Sequence, residues 1–168
     1  FFLPSWIINK FSLKIFNTIY YNVSGLKEKK KINIDYNDFF FPLDTLHHWN
    51  RLYGRKGFLQ YQFVLPLKYS FTGIQKILVK ISQSGQGSPL AVLKLFGPEN
   101  KNYLSFPMKG YTLALDFKNQ PSVFPLLNEL DKIVLEYKGR VYLAKDARIN
   151  KANFESGYGR INNFRKLR

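Results

Sequence analysis

The sequence predicts an α+β fold in which helices cover one face of an antiparallel sheet. Segments of alternating apolar and polar residues, typical of half-buried strands, are interleaved with segments whose apolar residues recur at helical spacing. From residue 58 onward these segments occur in the order β-α-β-β-α-β. That is the order of the ferredoxin-like split βαβ unit, and a further N-terminal helix precedes it.

Four strands and two helices make up the predicted ferredoxin-like unit. The strands are FLQYQFVL (58–65), LAVLKLF (90–96), YTLALDF (111–117) and RVYLA (140–144). The first helix spans residues 70–85 and the second spans 122–139, where Gly139 ends it. The expected inward faces consist of Ile74, Ile77, Leu78 and Ile81 on the first helix, and Leu127, Leu130, Ile133, Val134 and Tyr137 on the second.

The first 57 residues have a less regular pattern. A helix is predicted over residues 5–21, because Ile8, Phe11, Ile15, Phe16 and Ile19 recur at helical spacing. A loop from residue 24 to 31 and extended segments at 32–36 and 39–41 follow. Asp44 is expected to cap a short helix that ends at Gly54.

Alternation along the strands assigns a polar set of side chains to the sheet face opposite the helices. If the strands are in register, that face presents Gln60, Gln62, Lys94, Thr112 and Ala114. Two interpretations remain open: a solvated sheet surface, which is common in antiparallel sheets, or the wall of a site for a polar ligand. Lys94 has apolar neighbours on its own strand, and a lysine in such surroundings favours an anionic or hydrogen-bonding partner.

Composition narrows the functional classes. The net charge of +15 favours an anionic partner such as nucleic acid, phosphate or a membrane surface. The absence of cysteine excludes thiol chemistry and a Cys/His zinc site, and no metal site is expected. The only two histidines, His47 and His48, are adjacent and are not assigned a catalytic role.

Three long motifs carry a resemblance to a known family: DFFFPLDTLHHWNRLYGRKGFLQYQFVLP, LAVLKLFGPENKNYLSFPMKGYTLALDF and RVYLAKDAR. They closely resemble the C-terminal half of the decaprenylphosphoryl-ribose 2′-oxidases, within the FAD-linked oxidases of the vanillyl-alcohol oxidase type. The resemblance covers about residues 4–168. It implies a substrate-binding (cap) domain at 1–139, incomplete at its N-terminus. Residues 140–168 would begin an incomplete return to an FAD-binding domain that is otherwise absent.

The resemblance also implies an activity and a set of site residues. The activity is FAD-dependent oxidation of the C2′ hydroxyl of a polyprenylphosphoryl-ribose to a ketone, and a partner short-chain reductase would complete the epimerisation. Lys145 matches a catalytic lysine at the junction of flavin and substrate, and Tyr142 lies nearby as a second cofactor-binding residue. The matched substrate-binding positions are Lys94, Gln62, Gln60, Phe40, Thr112 and Ala114.

Three of those positions depart from the family pattern. Phe40 replaces a tyrosine of some members, while Thr112 and Ala114 stand where mycobacterial members have asparagine and cysteine. These changes bear on which sugar is bound. The implied location is cytoplasmic, with peripheral association at a membrane through the lipid substrate.

Two other functions compete with this interpretation. An aldonolactone-oxidase-like enzyme would use the same cofactor on another sugar. A nucleic-acid-binding ferredoxin-like domain would fit the charge, but the central strands LAVLKLF and YTLALDF lack the exposed Phe-x-Phe set of an RNA-recognition motif. No nucleic-acid partner is therefore expected.

Overall fold

The computed structural model describes residues 9–27, 31, 33–41, 47–145 and 148–167. The chain divides into two compact units, Phe1–Gly57 and Phe58–Arg168. The domain boundary at residue 139 that the resemblance implies stays a prediction.

Helix α1 (Lys10–Lys27) opens the described part of the first unit. The side-chain oxygen of Asn9 caps it by accepting hydrogen bonds from the backbone N–H groups of Phe11, at 2.8 Å, and Ser12, at 3.0 Å. The predicted helix is confirmed from residue 10 to 21, and its expected start at 5–8 lies outside the described residues. The loop expected from Ser24 is wrong as far as Lys27, since the helix continues through it.

Helix α2 (Tyr36–Phe40) replaces the extended segment that was predicted at 39–41. Asp35 caps α2 by accepting a hydrogen bond from the N–H of Asn37 at 2.8 Å. The rings of Tyr36 and Phe40, four residues apart, then meet at 4.7 Å. The prediction failed because three consecutive phenylalanines resemble a strand, whereas the local cap favours a helical turn.

A short 3-10 helix (Trp49–Tyr53) lies near the end of the first unit. Gly54 follows it with a φ of 77°, which confirms the predicted terminator, because glycine adopts positive φ without strain. The expected cap, Asp44, lies outside the described residues.

Within the part of the chain that the structure describes, four strands form one sheet. They are β1 (Phe58–Pro66), β2 (Ala91–Phe96), β3 (Gly110–Lys118) and β4 (Arg140–Val141). The sheet order is β2-β3-β1-β4, and every neighbouring pair is antiparallel. This order confirms the predicted ferredoxin-like α+β fold.

Helices α3 (Leu67–Ser84) and α4 (Val123–Glu136) pack on the apolar face of the sheet. Gly73 allows α3 to approach β1 closely, since a Cβ at that position would collide with the Leu65 side chain. Leu78 was expected to face inward but is exposed. Its part of α3 projects past the core, towards the outer strand β2. The centre of the core consists of Tyr61, Phe63, Leu65, Ile77, Leu115, Phe117, Leu130 and Val134.

The C-terminal region differs most from the prediction. Strand β4 has two residues, because the chain turns at Tyr142, whose carbonyl accepts a hydrogen bond from the N–H of Lys145 at 3.1 Å. Two unpredicted helices follow, α5 (Lys151–Gly157) and α6 (Ile161–Lys166). Asn150 caps α5 by accepting from the N–H of Asn153 at 2.9 Å.

No helix among the described residues is both long enough and apolar enough to cross a membrane.

Candidate functional site

The register of the sheet brings most of the predicted wall residues onto one face. Gln62 lies opposite Ala114, which lies opposite Val92, so these three form one row across β1, β3 and β2. Lys94 and Thr112 are directly opposed in the next row. Cross-strand partners share a face, and that face is the one opposite α3 and α4.

The remaining strand residue of the predicted wall lies one row further along β1. Gln60 is opposite Asp116, and it is half-buried. The register thus unites all five predicted strand residues on one face. Their roles in substrate binding stay a prediction.

A hydrogen-bonded pair fixes the centre of this face. The side-chain nitrogen Nε2 of Gln62 donates to the hydroxyl of Thr112 at 3.1 Å, and that hydroxyl donates to the backbone carbonyl of Phe63 at 2.7 Å. Thr112 is fully buried and Gln62 nearly so. Because a buried polar group must keep its partners, Thr112 holds the Gln62 carboxamide in one orientation.

The segment between β2 and β3 folds over one end of the polar face. The ring of Phe106 stacks on Tyr142, with centroids 4.3 Å apart, and meets Phe96 edge-on at 5.8 Å. Arg140 on β4 donates to the carbonyl of Ser105 at 2.5 Å. The wall is therefore covered near Thr112, while Lys94, on the outer strand, is exposed.

Tyr142 and Lys145 lie at the opposite border of the face. The N–H of Tyr142 donates to the carbonyl of Gln62 at 2.8 Å, which places Tyr142 beside the centre of the wall. Lys145 follows one turn later with an exposed side chain. Neighbouring strands are about 4.8 Å apart, so Lys94 on β2 and the turn after β4 border the face from edges roughly 14 Å apart.

Phe40 is described with the first unit. It lies on α2, where it is exposed and contacts Tyr36 and Phe39. Its assignment to the substrate wall stays a prediction.

A charged network anchors the cover of the face, and sequence reasoning missed it. Glu99 accepts hydrogen bonds from Arg140 at 3.1 Å and from Arg160 at 2.7 Å. Partial burial would raise the pKa of Glu99, but the two guanidinium groups outweigh it and hold that pKa below its usual value. The chain has 11 acidic and 26 basic residues, so each carboxylate has many possible basic partners. That imbalance is the sequence signal that could have identified Glu99 as the centre of an ion-pair network.

Arg140 also lies over the ring of Tyr158, with the guanidinium carbon 5.5 Å from the ring centre. The Tyr158 hydroxyl donates to the carbonyl of Val141 at 2.7 Å. Burial raises the pKa of Tyr158 to about 12. These contacts attach the C-terminal helices to β4, directly beside the turn that carries Lys145.

A second ion pair holds the chain on the far side of that turn. Arg148 donates to both carboxylate oxygens of Asp131, at 2.8 and 2.9 Å, and Tyr61 donates to the same carboxylate at 2.9 Å. The guanidinium carbon of Arg148 lies 5.6 Å from the ring centre of Tyr61. Two described residues near Lys145 in the sequence, Tyr142 before it and Arg148 after it, are thus each held by hydrogen bonds.

Among the described residues, no group of three or more His, Cys, Asp or Glu side chains could hold a metal ion.

Comparison with known proteins gives a match over nearly the whole chain. The sequence is 40% identical over 165 residues, 98% of this chain, to decaprenylphosphoryl-beta-D-ribose oxidase of Mycolicibacterium smegmatis, of which it covers 35%. The chain matches about a third of that oxidase. The resemblance predicted from the motifs is thereby confirmed. No family model matches the sequence.

A second curated relative matches a shorter part of the chain. It is described as an uncharacterized protein in the mprA 5′ region of Streptomyces coelicolor, and it is 31% identical over 96 residues. The match covers 56% of this chain and 26% of that protein. The chain thus spans about a third or less of the length of the two relatives, and the activity of the mycobacterial oxidase comes to it only as a proposal.

Proposed function

We propose that this chain forms the substrate-binding part of an FAD-dependent oxidoreductase. The reaction is oxidation of a sugar hydroxyl, the C2′ hydroxyl of a polyprenylphosphoryl-ribose, to a ketone. The observation that carries the proposal is the polar sheet face, on which Gln62, Thr112 and Lys94 lie side by side. The 40% identity to a decaprenylphosphoryl-beta-D-ribose oxidase supports the choice of substrate.

The polar face suits a sugar phosphate for two reasons. The Gln62 carboxamide is held by Thr112 before any ligand arrives, so less conformational freedom is lost on binding. The exposed ammonium group of Lys94 is available to an anionic or hydroxyl group of the ligand. Lys94 would therefore bind the substrate, and Gln62, with Gln60 beside it, would orient the ring.

Tyr142 and Lys145 are the residues of this chain that would contact FAD. A bound flavin would supply the acceptor for the hydride. Lys145 fits a position beside it, because its ammonium is exposed and forms no ion pair with another described residue. A fixed cation stabilises negative charge that develops during a reaction. The chain contributes this border, while its glycines form no phosphate-binding cluster in the sequence.

The ketone product would be consumed by a partner short-chain reductase, which completes an epimerisation at C2′. The lipid part of the substrate would bring the enzyme to the cytoplasmic surface of a membrane. Nucleic acid stays outside the proposal, since the open face of β1 and β3 carries one aromatic residue, Phe58 at the start of β1. The central positions of that face are Gln60, Gln62, Val64, Thr112, Ala114 and Asp116, without the Phe-x-Phe set on which bases stack.

The test uses the full-length protein that contains this chain, reconstituted with FAD under anaerobic conditions. Polyprenylphosphoryl-ribose is expected to bleach the visible absorbance of the flavin. Lys145→Met should slow bleaching at saturating substrate, whereas Lys101→Met, at an exposed lysine outside the site, should not. If an aldonolactone bleaches the flavin and polyprenylphosphoryl-ribose does not, the substrate is an aldonolactone, and the protein is still an FAD-dependent oxidase. Bleaching by neither sugar would overturn the proposal.

A further inference from the structure

The sheet unit has a second exposed surface on the helix side, away from the polar face. An open groove of about 710 Å³ runs between α3 and the outer part of the sheet. Aliphatic and aromatic side chains dominate its lining, and the main ones are Leu67, Phe71, Ile74, Leu78, Val79 and Leu93. We name it the α3–β2 groove.

Large apolar side chains stand out from this groove into solvent. Phe71 and Leu93 in the groove are 82% and 56% exposed, and Leu95, beside the groove on the same face of β2 as Leu93, is 62% exposed. Leu67, Leu78 and Val79 are also exposed. Contiguous exposed apolar surface of this kind marks an interaction site rather than ordinary protein surface.

The hydroxyl group of Ser70, at the floor of the groove, already has hydrogen-bond partners. The Ser70 hydroxyl on α3 donates to the end of β1, where the carbonyl oxygens of Leu65 and Pro66 both lie 2.9 Å away. It also accepts from the N–H of Tyr111 at 3.2 Å. The Ser70 hydroxyl therefore needs no hydrogen bond from an occupant. An acyl chain has no hydrogen-bonding groups, so it can cover Ser70 without leaving a polar group unsatisfied.

The charges around the groove favour an anionic occupant. Neither α3 nor β2 contains an acidic residue. Lys68 in the first turn of α3 is exposed, and so is Lys109, whose carbonyl accepts from the N–H of Leu67 at 3.1 Å. Lys76 and Lys80 instead pair with Glu136 and Glu129, at 2.7 and 3.8 Å, on the α4 side.

A second copy of the chain is a poorer occupant. Strand β2 is an edge strand of the described sheet, and an antiparallel partner strand paired in register at Lys94 would bring two Lys94 side chains together. Two chains of charge +15 also repel each other. We propose that the α3–β2 groove binds the surface of an anionic lipid bilayer. Phe71, Leu93 and Leu95 enter the acyl region, and Lys68 and Lys109 contact the lipid phosphates.

The test is cosedimentation of the full-length protein with phosphatidylcholine vesicles that contain or lack phosphatidylglycerol. Binding is expected only to the anionic vesicles, and added salt should weaken it. Phe71→Ser should lower the partition coefficient about tenfold, because one aromatic side chain no longer leaves water. Lys68→Gln with Lys109→Gln should lower it about thirtyfold, since two basic residues no longer contact the anionic surface.

Matched controls lie elsewhere on the same unit. Phe124→Ser on α4 and Lys101→Gln should bind vesicles as the unchanged protein does. No binding, or equal binding by the groove variants and the controls, would overturn the proposal. A loss of self-association in Phe71→Ser, measured by light scattering, would assign the groove to a second copy instead. Flavin bleaching by a detergent-solubilised substrate should be normal in the groove variants, so the membrane proposal and the proposed activity fail separately.

Discussion

Arg148 donates a hydrogen bond from each of its two terminal nitrogens to the buried carboxylate of Asp131, at 2.8 and 2.9 Å. The pair joins the segment after Lys145 to helix α4, and through Tyr61 it also reaches the central strand. The carboxylate is 1% exposed, so water cannot replace a lost partner.

Asp131→Asn is therefore expected to destabilise the protein by about 3–5 kcal/mol, the usual cost of leaving a buried charge without its partner. The measurement is the free energy of unfolding of the full-length protein in denaturant. Lys76→Gln provides the control, because the Lys76–Glu136 pair is solvent-exposed and its removal should be undetectable. Equal effects of the two substitutions would contradict a structural role for the buried pair.

Glu99→Gln should change how stability depends on pH. The pKa of Glu99 is lowered in the folded state, so its stabilising effect is complete above the ordinary glutamate pKa of about 4.3 and is lost as pH falls through the lowered value. The melting temperature of Glu99→Gln should thus be below that of the unchanged protein at neutral pH, and the two should converge in acid. A difference that stays constant across this range would show that the ion pairs contribute nothing.

Thr112→Val tests the hydrogen-bonded centre of the polar face. The change keeps the side-chain volume but removes the hydroxyl that accepts from Gln62 and donates to Phe63. Two buried groups lose a partner, which should cost about 1–3 kcal/mol of unfolding free energy. The freed carboxamide should also raise KM for the sugar substrate. Thr112→Ser keeps the hydroxyl and should restore KM, an outcome that a packing defect alone would not produce.

Lys94→Met tests the cation at the outer strand. If Lys94 binds an anionic or hydroxyl group of the substrate, the dissociation constant should rise about tenfold or more, since hydrogen bonds to charged groups contribute about 1.5–3 kcal/mol. Flavin reduction at saturating substrate should be preserved. Titration of the bound flavin's absorbance measures both quantities, and an unchanged dissociation constant would return Lys94 to the role of a solvated surface lysine.

The strands of the sheet could be predicted from the sequence because β1 and β3 are long and alternate cleanly. Every other side chain of β1, from Leu59 to Leu65, is apolar and faces the helices. The helices α3 and α4 were found for the same reason, at their own period. Leu78 shows the limit of the method: a helical pattern identifies an apolar face, but not how far the sheet beneath it extends.

The candidate site could be predicted only in part. Alternation places Gln62 and Thr112 on one face, yet it cannot show that Thr112 is fully buried, because the cover comes from Phe106 in a segment without any period. The pairs Glu99–Arg160 and Asp131–Arg148 join residues distant in sequence, and only the folded chain brings them together. These pairs anchor the chain close to the turn that carries Lys145. The position of that turn could therefore not be predicted from the sequence.

The position of β1 within the sheet also has a consequence for biosynthesis. Phe63 on this strand pairs with Leu113 on one side and with Val141 on the other, and both partners leave the ribosome long after it. Before Leu113 emerges, both edges of the apolar strand around Phe63 lack a partner strand, and one edge still lacks it until Val141 emerges. Strands with unpaired edges associate with the wrong partners. The nascent chain should therefore depend on chaperones until Val141 has emerged, and translation products that end earlier should aggregate.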